Sequence, residues 1–165
     1  MVALSGYDLS QKRDKWREYA ATGDVYAMYE LGESYSGHAM EGGIDGAEAF
    51  KWYCEAARHG YGKSQMLVGE VYQGTKTLPG VDIAPDFAKA HMWYSLAKRR
   101  AMHEAYEHLA VLEPQMEAKD IHTAEKLITN YRKVPCGVEE KHAKPAEGTG
   151  AESEKSTRKA ARKKD

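Results

Sequence analysis

The feature that most constrains the fold is an internal repeat. Two segments, "AFKWYCEAARHG" at residues 49–60 and "AKAHMWYSLAKRRA" at residues 88–101, contain a Trp-Tyr pair, with an alanine four residues and a small residue eight residues after the Trp. A weaker copy, "KWREYAATGD", lies at residues 15–24. Because repeats of this kind cannot bury their apolar faces alone, we expect them to stack and form one continuous core.

A second pattern comes before or after each of these segments. The strings "AMYELGESYSG", "SQMLVGEVYQG" and "AYEHLAVL" each place a small residue, then an apolar residue four positions later, then Gly or Ala. This spacing is typical of one face of a helix. The two patterns together therefore predict two amphipathic helices in each unit. Small residues are predicted where the two helices approach closely, at Gly32, Gly69 and Ala110. Large residues are predicted to fill the space beside them, at Tyr35, Tyr72, Trp52 and Trp93.

The spacing of the units narrows the choice of repeat. From Gly23 to Gly60 is 37 positions and from Gly60 to Ala101 is 41, whereas the tetratricopeptide period is roughly 34 residues. The extra residues lie between the two helices of a unit, so the sequence predicts an enlarged inter-helix loop.

Two aspartates mark the predicted start of the second helix in each unit. Asp45 and Asp86 each lie seven positions before a Trp. A carboxylate at this position accepts hydrogen bonds from free backbone amides, and Glu48 predicts a reciprocal capping box with Asp45. We expect each cap to contribute about 1 kcal/mol to stability rather than to carry chemistry.

These motifs resemble a known repeat family. The string "GVDIAPDFAKAHMWYSLAKRRAMHEA" is similar to the Sel-one-like repeat, a longer-looped relative of the tetratricopeptide repeat. "GDVYAMYELGESYSG" matches the first-helix pattern of that family, and "LEPQMEAKDIHTAEKLITNY" resembles its closing helix. The resemblance covers about residues 10–132, with departures at Ser64 and at Arg100 and Ala101, and with no Lys-Ala pair before Trp52.

The resemblance implies an all-α fold, a short right-handed α-solenoid of antiparallel helix pairs with capping helices at both ends. Helices at Gln11–Ala21 and Ala118–Tyr131 are expected to cover the ends. The implied organisation is a flexible N-terminus at 1–9, a repeat domain at 10–132 and a disordered charged tail at 133–165. The repeat domain would consist of units at about 24–60 and 61–101, then a partial third unit and closing helix at 102–132.

By analogy with tetratricopeptide arrays, the first helix of each pair is expected to line a concave groove. Aromatic, Met and carboxylate side chains there suit a peptide or helix of a partner protein that carries basic and apolar groups. The alternative is that they are ordinary solvated residues on a helix face. The residues predicted to face the partner are Tyr26, Tyr29, Glu33, Lys63, Met66, Glu70, Gln73, Glu104 and Glu107.

The C-terminal end has a different composition. After Val138 there is no Leu, Ile, Phe, Tyr or Trp, so this segment cannot bury enough apolar area to order itself. The net charge of the chain is only −1, but six basic residues cluster near its end. They predict either a solubilising terminus or contacts with nucleic acid or an anionic surface, which gives an alternative function as a regulator. These residues are Lys155, Arg158, Lys159, Arg162, Lys163 and Lys164.

The sequence offers little support for an enzyme. His103 and His108 are five positions apart, so they miss the four-residue spacing of a zincin, and "GTKTLPG" at residues 74–80 is not a phosphate-binding loop. No nucleophile motif is present. We therefore expect no catalytic residues, no metal and no cofactor, and a protein that acts as an adaptor or scaffold.

The two cysteines and the N-terminus bear on location. Cys54 and Cys136 form no close-spaced pair, which favours two unpaired thiols in a reducing compartment over a disulfide. No segment has the length and apolarity of a secretory signal or a membrane span. The sequence therefore predicts a cytoplasmic protein.

Overall fold

In the described part of the chain, residues 6–37 and 43–138 of a computed structural model, all regular secondary structure is helical. This part of the chain contains seven α-helices and no strand, which confirms the predicted all-α class. None of these helices is long and apolar enough to cross a bilayer. The helices are α1 (Gly6–Ala21), α2 (Val25–Tyr35), α3 (Gly46–Arg58), α4 (Gly62–Gln73), α5 (Phe87–Arg99), α6 (Glu104–Leu112) and α7 (Ala118–Thr129), with 3₁₀ turns at Glu113–Gln115 and Tyr131–Lys133.

Helices that follow one another in the chain are neighbours in space. From α1 to α6 each helix packs against the next, and α7 packs against α5. The helix α1 begins at Gly6, so helical structure extends into the segment predicted to be flexible. One large apolar cluster joins α3, α4, α5 and α6, and a smaller one joins the end of α1 to α2 and α3.

The predicted caps at Asp45 and Asp86 are confirmed. Asp45 accepts a hydrogen bond from the Glu48 amide at 3.0 Å, and Asp86 accepts one from the Lys89 amide at 2.9 Å. The reciprocal half of the capping box differs from the prediction, because the Asp45 amide donates to the Tyr35 carbonyl. The Glu48 carboxylate instead accepts from Lys51 and Trp52.

The ends of α1, α3 and α5 have the same backbone geometry. Gly23, Gly60 and Ala101 have left-handed φ values of 92°, 88° and 59°. In each case the amide that follows donates to the carbonyl five positions earlier, as in a Schellman cap. These bonds run from Asp24 to Tyr19, from Tyr61 to Ala56 and from Met102 to Ala97. The three positions that the sequence pattern aligns are therefore equivalent in the backbone.

Glycine allows a close approach between helices at two equivalent positions. A Cβ atom at Gly32 would lie 2.5 Å from the Tyr53 ring, and one at Gly69 would lie 2.5 Å from the Tyr94 ring. Both tyrosines are fully buried. The large partner of each glycine is therefore the Tyr of the Trp-Tyr pair, whereas the pattern predicted a tyrosine of the glycine's own helix and the Trp.

The two Trp residues have different surroundings. Trp93 is 0% exposed, and Tyr131 approaches its ring edge-on with a centroid distance of 6.2 Å. Trp52 is only half-buried, at the border of the smaller cluster, and its indole N–H donates to Glu48. The prediction that both fill buried space is therefore wrong for Trp52, because no element of the described ranges covers it as α7 covers α5.

The prediction of two unpaired thiols is also wrong. Cys54 on α3 and Cys136 form a disulfide across a sequence separation of 82 residues. Sequence spacing gave no sign of this pair, because the cysteines meet only after the C-terminal segment folds back onto α3.

That segment, residues 134–138, is called the C-terminal strap below. Val134 is buried in the large cluster, and its carbonyl accepts a hydrogen bond from Arg58 at 3.1 Å. The Pro135 carbonyl accepts from the Tyr72 hydroxyl at 3.3 Å. The strap thus belongs to the packed domain, although the sequence predicted that the disordered tail begins at residue 133.

Candidate partner-binding face

Three tyrosines meet where α2 lies beside the start of α4. Tyr26 and Tyr29 are three positions apart and so lie on one side of α2, while Tyr61 is the residue that precedes α4. The ring centroids of Tyr29 and Tyr61 are 5.3 Å apart. Tyr26 is 57% exposed, and the other two are half-buried. The left-handed turn at Gly60 directs the chain so that Tyr61 follows immediately at this junction.

Two carboxylates lie among these rings. Glu30 follows Tyr26 by one helical turn, and Glu33 follows Tyr29 by one turn. The Tyr53 hydroxyl donates to Glu33 Oε1 at 2.7 Å. Among the described residues, no Lys, Arg or His forms an ion pair with Glu30 or Glu33. Within the described ranges, tyrosine hydroxyls rather than basic side chains are the partners of these carboxylates.

The pKa values of the tyrosines are all raised. A hydrogen bond to Glu30 raises the pKa of Tyr26. Burial and the Glu33 carboxylate raise the pKa of Tyr29, and burial and Glu30 raise that of Tyr61. The phenols therefore stay neutral at physiological pH, and the face presents neutral rings and negative carboxylates. We call Tyr26, Tyr29, Tyr61, Glu30 and Glu33 the tyrosine-glutamate face.

The equivalent place in the next unit is built differently. Glu70, which follows its glycine as Glu33 does, lies 3.5 Å from His108 Nε2. The His108 ring stacks on Tyr94 at a centroid distance of 4.8 Å, and the Tyr94 hydroxyl donates to Gln73. Glu70 and Gln73 therefore have partners within the domain.

The predicted groove residues are thus distributed unevenly. Tyr26, Tyr29 and Glu33 come together on one face, whereas Met66 is 7% exposed and packs in the large cluster. A helix period gives the direction of a side chain but not whether another element covers it. The remaining predicted residues that are exposed are Lys63, Glu104 and Glu107.

Tyr61 and Glu30 belong to the face although the sequence reasoning missed them. Tyr61 directly follows the glycine that ends the repeat segment, and Glu30 lies four positions after Tyr26. The sequence signal for Tyr61 is its position at the repeat boundary, and the signal for Glu30 is its four-residue spacing from Tyr26.

A second concave feature lies on another part of the surface. An open depression of about 940 Å³ lies between the loop before α5, the start of α7 and the strap. Its lining includes Asp82, Phe87 and Asp120, together with Gly137 and Val138 of the strap. No three His, Cys, Asp or Glu side chains of the described ranges are grouped to hold a metal ion.

The six basic tail residues named above, Lys155 to Lys164, lie outside the described residues. No protein-family model matches the sequence, and no curated protein matches it significantly. The class that the structure defines is an all-α protein in which successive helices pack on one another. The tyrosine-glutamate face is the candidate functional surface of this fold.

Proposed function

We propose that this protein is a non-enzymatic adaptor or scaffold that binds a cationic segment of a partner protein on its tyrosine-glutamate face. The single observation that carries the proposal is the combination of three neutral tyrosine rings with two carboxylates that lack a basic partner in the described part of the chain. A Lys or Arg side chain satisfies both kinds of group.

Some of the other tyrosines of this chain show the same chemistry within the domain. Arg13 lies over the Tyr35 ring at 3.9 Å, and Lys98 lies over the Tyr106 ring at 4.5 Å. No described cation lies over Tyr26, Tyr29 or Tyr61. Rings of this type attract cations by about 0.5–2 kcal/mol. A cationic partner would supply at this face the contact that Tyr35 and Tyr106 already have.

The proposal includes a repeat architecture. We propose a short right-handed α-solenoid of Sel-one-like repeats in which α1 and α7 cover the ends. The equivalent helix ends at Gly23, Gly60 and Ala101 and the equivalent glycine-tyrosine contacts support it. In such an array the first helices of the pairs form an extended surface for a peptide or helix.

The experiment uses the full chain and a labelled synthetic peptide of about 15 residues that contains Arg, Lys and Leu. Matched peptides carry Gln or Glu in place of the basic residues. We expect the basic peptide alone to bind, and we expect Tyr26→Ala with Glu30→Gln to weaken its binding about tenfold, a loss of about 1.4 kcal/mol.

The matched control is Tyr19→Ala with Glu18→Gln. Tyr19 is 58% exposed, as much as Tyr26, but it lies on α1 and outside the tyrosine-glutamate face. Binding should be unchanged in this variant. Equal loss in both double variants, or equal binding of the three peptides, would contradict a specific site at α2.

A second candidate function rests on the composition of the tail. Six basic residues within ten positions suit phosphate contacts, so the chain would act as a regulator associated with nucleic acid or an anionic surface. Replacing all six with Gln and measuring retention on double-stranded DNA across a salt series tests it. Salt-sensitive retention that disappears in this variant, with no peptide binding at α2, would favour the second candidate.

The predicted cytoplasmic location has no structural support. Disulfides persist mainly in oxidising compartments and are reduced in the cytosol. The Cys54–Cys136 bond therefore favours an oxidising compartment. A cytoplasmic location would require this bond to be open.

A further inference from the structure

We propose that the Cys54–Cys136 disulfide is a redox-controlled clasp, and that its reduction releases the C-terminal strap while the helices stay folded. This inference is independent of the tyrosine-glutamate face. It rests on how few other contacts hold the strap beyond Val134 and on the difference in burial between the two cysteines.

The attachments of the strap are unequal along its length. Val134 is buried, and its carbonyl accepts a 3.1 Å hydrogen bond from Arg58. Beyond it, the long 3.3 Å bond from Tyr72 to the Pro135 carbonyl and the disulfide are the polar and covalent attachments that the described residues make. A Cβ atom at Gly137 would meet nothing within 4 Å, and Val138 is exposed. The disulfide is therefore the main restraint on residues 136–138.

The seven helices do not depend on this bond for their packing. Their contacts form two apolar clusters, and most members of these clusters lie on helices. Cys54 would remain buried on α3 as a thiol, in surroundings that suit a small apolar side chain. Opening of the disulfide would therefore free the strap without removing the core.

Reduction has one accessible starting point. Cys54 is buried, whereas Cys136 is half-buried. A thiolate of a dithiol reductant attacks Cys136 Sγ, the Cys54–Cys136 bond breaks, and Cys54 leaves as a thiolate that takes up a proton. The second thiolate of the reductant attacks the mixed disulfide and releases Cys136, which takes up the second proton. The reductant leaves as a disulfide, and the protein has gained two electrons and two protons.

Release of the strap changes a specific surface. Gly137 and Val138 form part of the lining of the 940 Å³ depression, together with Asp82, Phe87 and Asp120. When the strap moves away, this depression loses that part of its lining and Tyr72 becomes more exposed. The redox state would thus decide the shape of the depression.

The test measures backbone order by NMR relaxation on the full chain, first oxidised and then reduced with dithiothreitol. With the bond formed, residues 136–138 should have order parameters near those of the helices, about 0.85. After reduction we expect values below about 0.6 for these residues and unchanged values in α3, α4 and α5. Alkylation and mass spectrometry establish the thiol count in each state.

Two variants separate the effect of the disulfide from the effect of the other contacts of the strap. Cys136→Ser should show the released strap under both conditions and no response to dithiothreitol. Val134→Ala keeps both cysteines and should stay ordered at residues 136–138 until it is reduced. Unchanged order after reduction, general loss of the helix signals, or two free thiols in the air-oxidised protein would each overturn the proposal.

Discussion

Trp93 and Trp52 occupy equivalent positions in the two Trp-Tyr segments of the sequence, yet they contribute differently to stability. Trp93 is fully buried beneath Tyr131, whereas Trp52 is half-buried and has Lys51 over its ring at 5.6 Å. The indole N–H of Trp93 is buried without a hydrogen-bond partner in the described part of the chain. The contribution of a Trp side chain to stability therefore depends on whether another element covers it.

This difference predicts unequal costs of truncation. Trp93→Ala should lower the free energy of unfolding by about 3 kcal/mol, the lower end of the range for a large buried aromatic, because an unpaired donor is removed together with the ring. Trp52→Ala should cost about 1–2 kcal/mol, because part of its surface is already in water. Urea denaturation of the two variants measures both values, and equal costs would contradict the packing described for Trp93.

Among the helices, the ends of α1, α3 and α5 have the same backbone geometry. Each of α1, α3 and α5 ends in a left-handed residue, but the third of these is Ala101. A non-glycine residue in this conformation costs roughly 1–2 kcal/mol, and glycine avoids that cost while losing roughly 0.5–1 kcal/mol in chain entropy. The end of α5 thus carries a small strain that the ends of α1 and α3 lack.

Exchanging the two residue types should change stability in opposite directions. Ala101→Gly should raise the free energy of unfolding by about 0.5 kcal/mol. Gly60→Ala should lower it by more than 1 kcal/mol, because the left-handed strain is added and the new Cβ atom would lie 2.6 Å from Arg100 Nη2. Denaturant midpoints check both variants, and a stabilising Gly60→Ala would contradict the assignment of a shared cap.

The sequence predicted the elements better than it predicted the surfaces. The alternation of small and large residues and the aspartates at 45 and 86 predicted helix pairs and their starting points, because these signals are local. The burial of Met66 and the exposure of Trp52 depend on which neighbouring helix covers them. The pairing of Cys54 with Cys136 depends on a segment that returns from far along the chain. No local pattern contains that information.

In the molecule as a whole, buried tyrosines connect successive helices to one another. Tyr53 and Tyr94 are fully buried against the glycines of the preceding helix, and their hydroxyls donate to Glu33 and Gln73. Burial is the main cause that raises the pKa of Tyr29, Tyr53 and Tyr94 above the ordinary 10.0. The stability of the domain should therefore depend on alkaline pH more steeply than that of a protein with exposed tyrosines.

The direction of this dependence follows from proton binding. Below pH 10 both the folded and the unfolded chain keep these phenol protons, so the stabilisation is fully present. Above the ordinary pKa of 10.0 the unfolded chain loses them first, and the folded state then binds more protons. The free energy of unfolding should therefore fall as the pH rises above about 10, and it should keep falling until the folded state also ionises.

Urea denaturation between about pH 8 and pH 11.5 measures this fall, and Tyr94→Phe isolates the contribution of one phenol. The variant loses the hydrogen bond to Gln73, which should lower stability by about 1 kcal/mol at every pH. Its decline with pH should nevertheless be shallower than that of the unsubstituted protein, because one raised phenol no longer titrates. Tyr106→Phe is the control, since Tyr106 is half exposed and lies outside the buried tyrosine contacts. Parallel curves for all three proteins would show that the buried phenol of Tyr94 does not couple folding to pH.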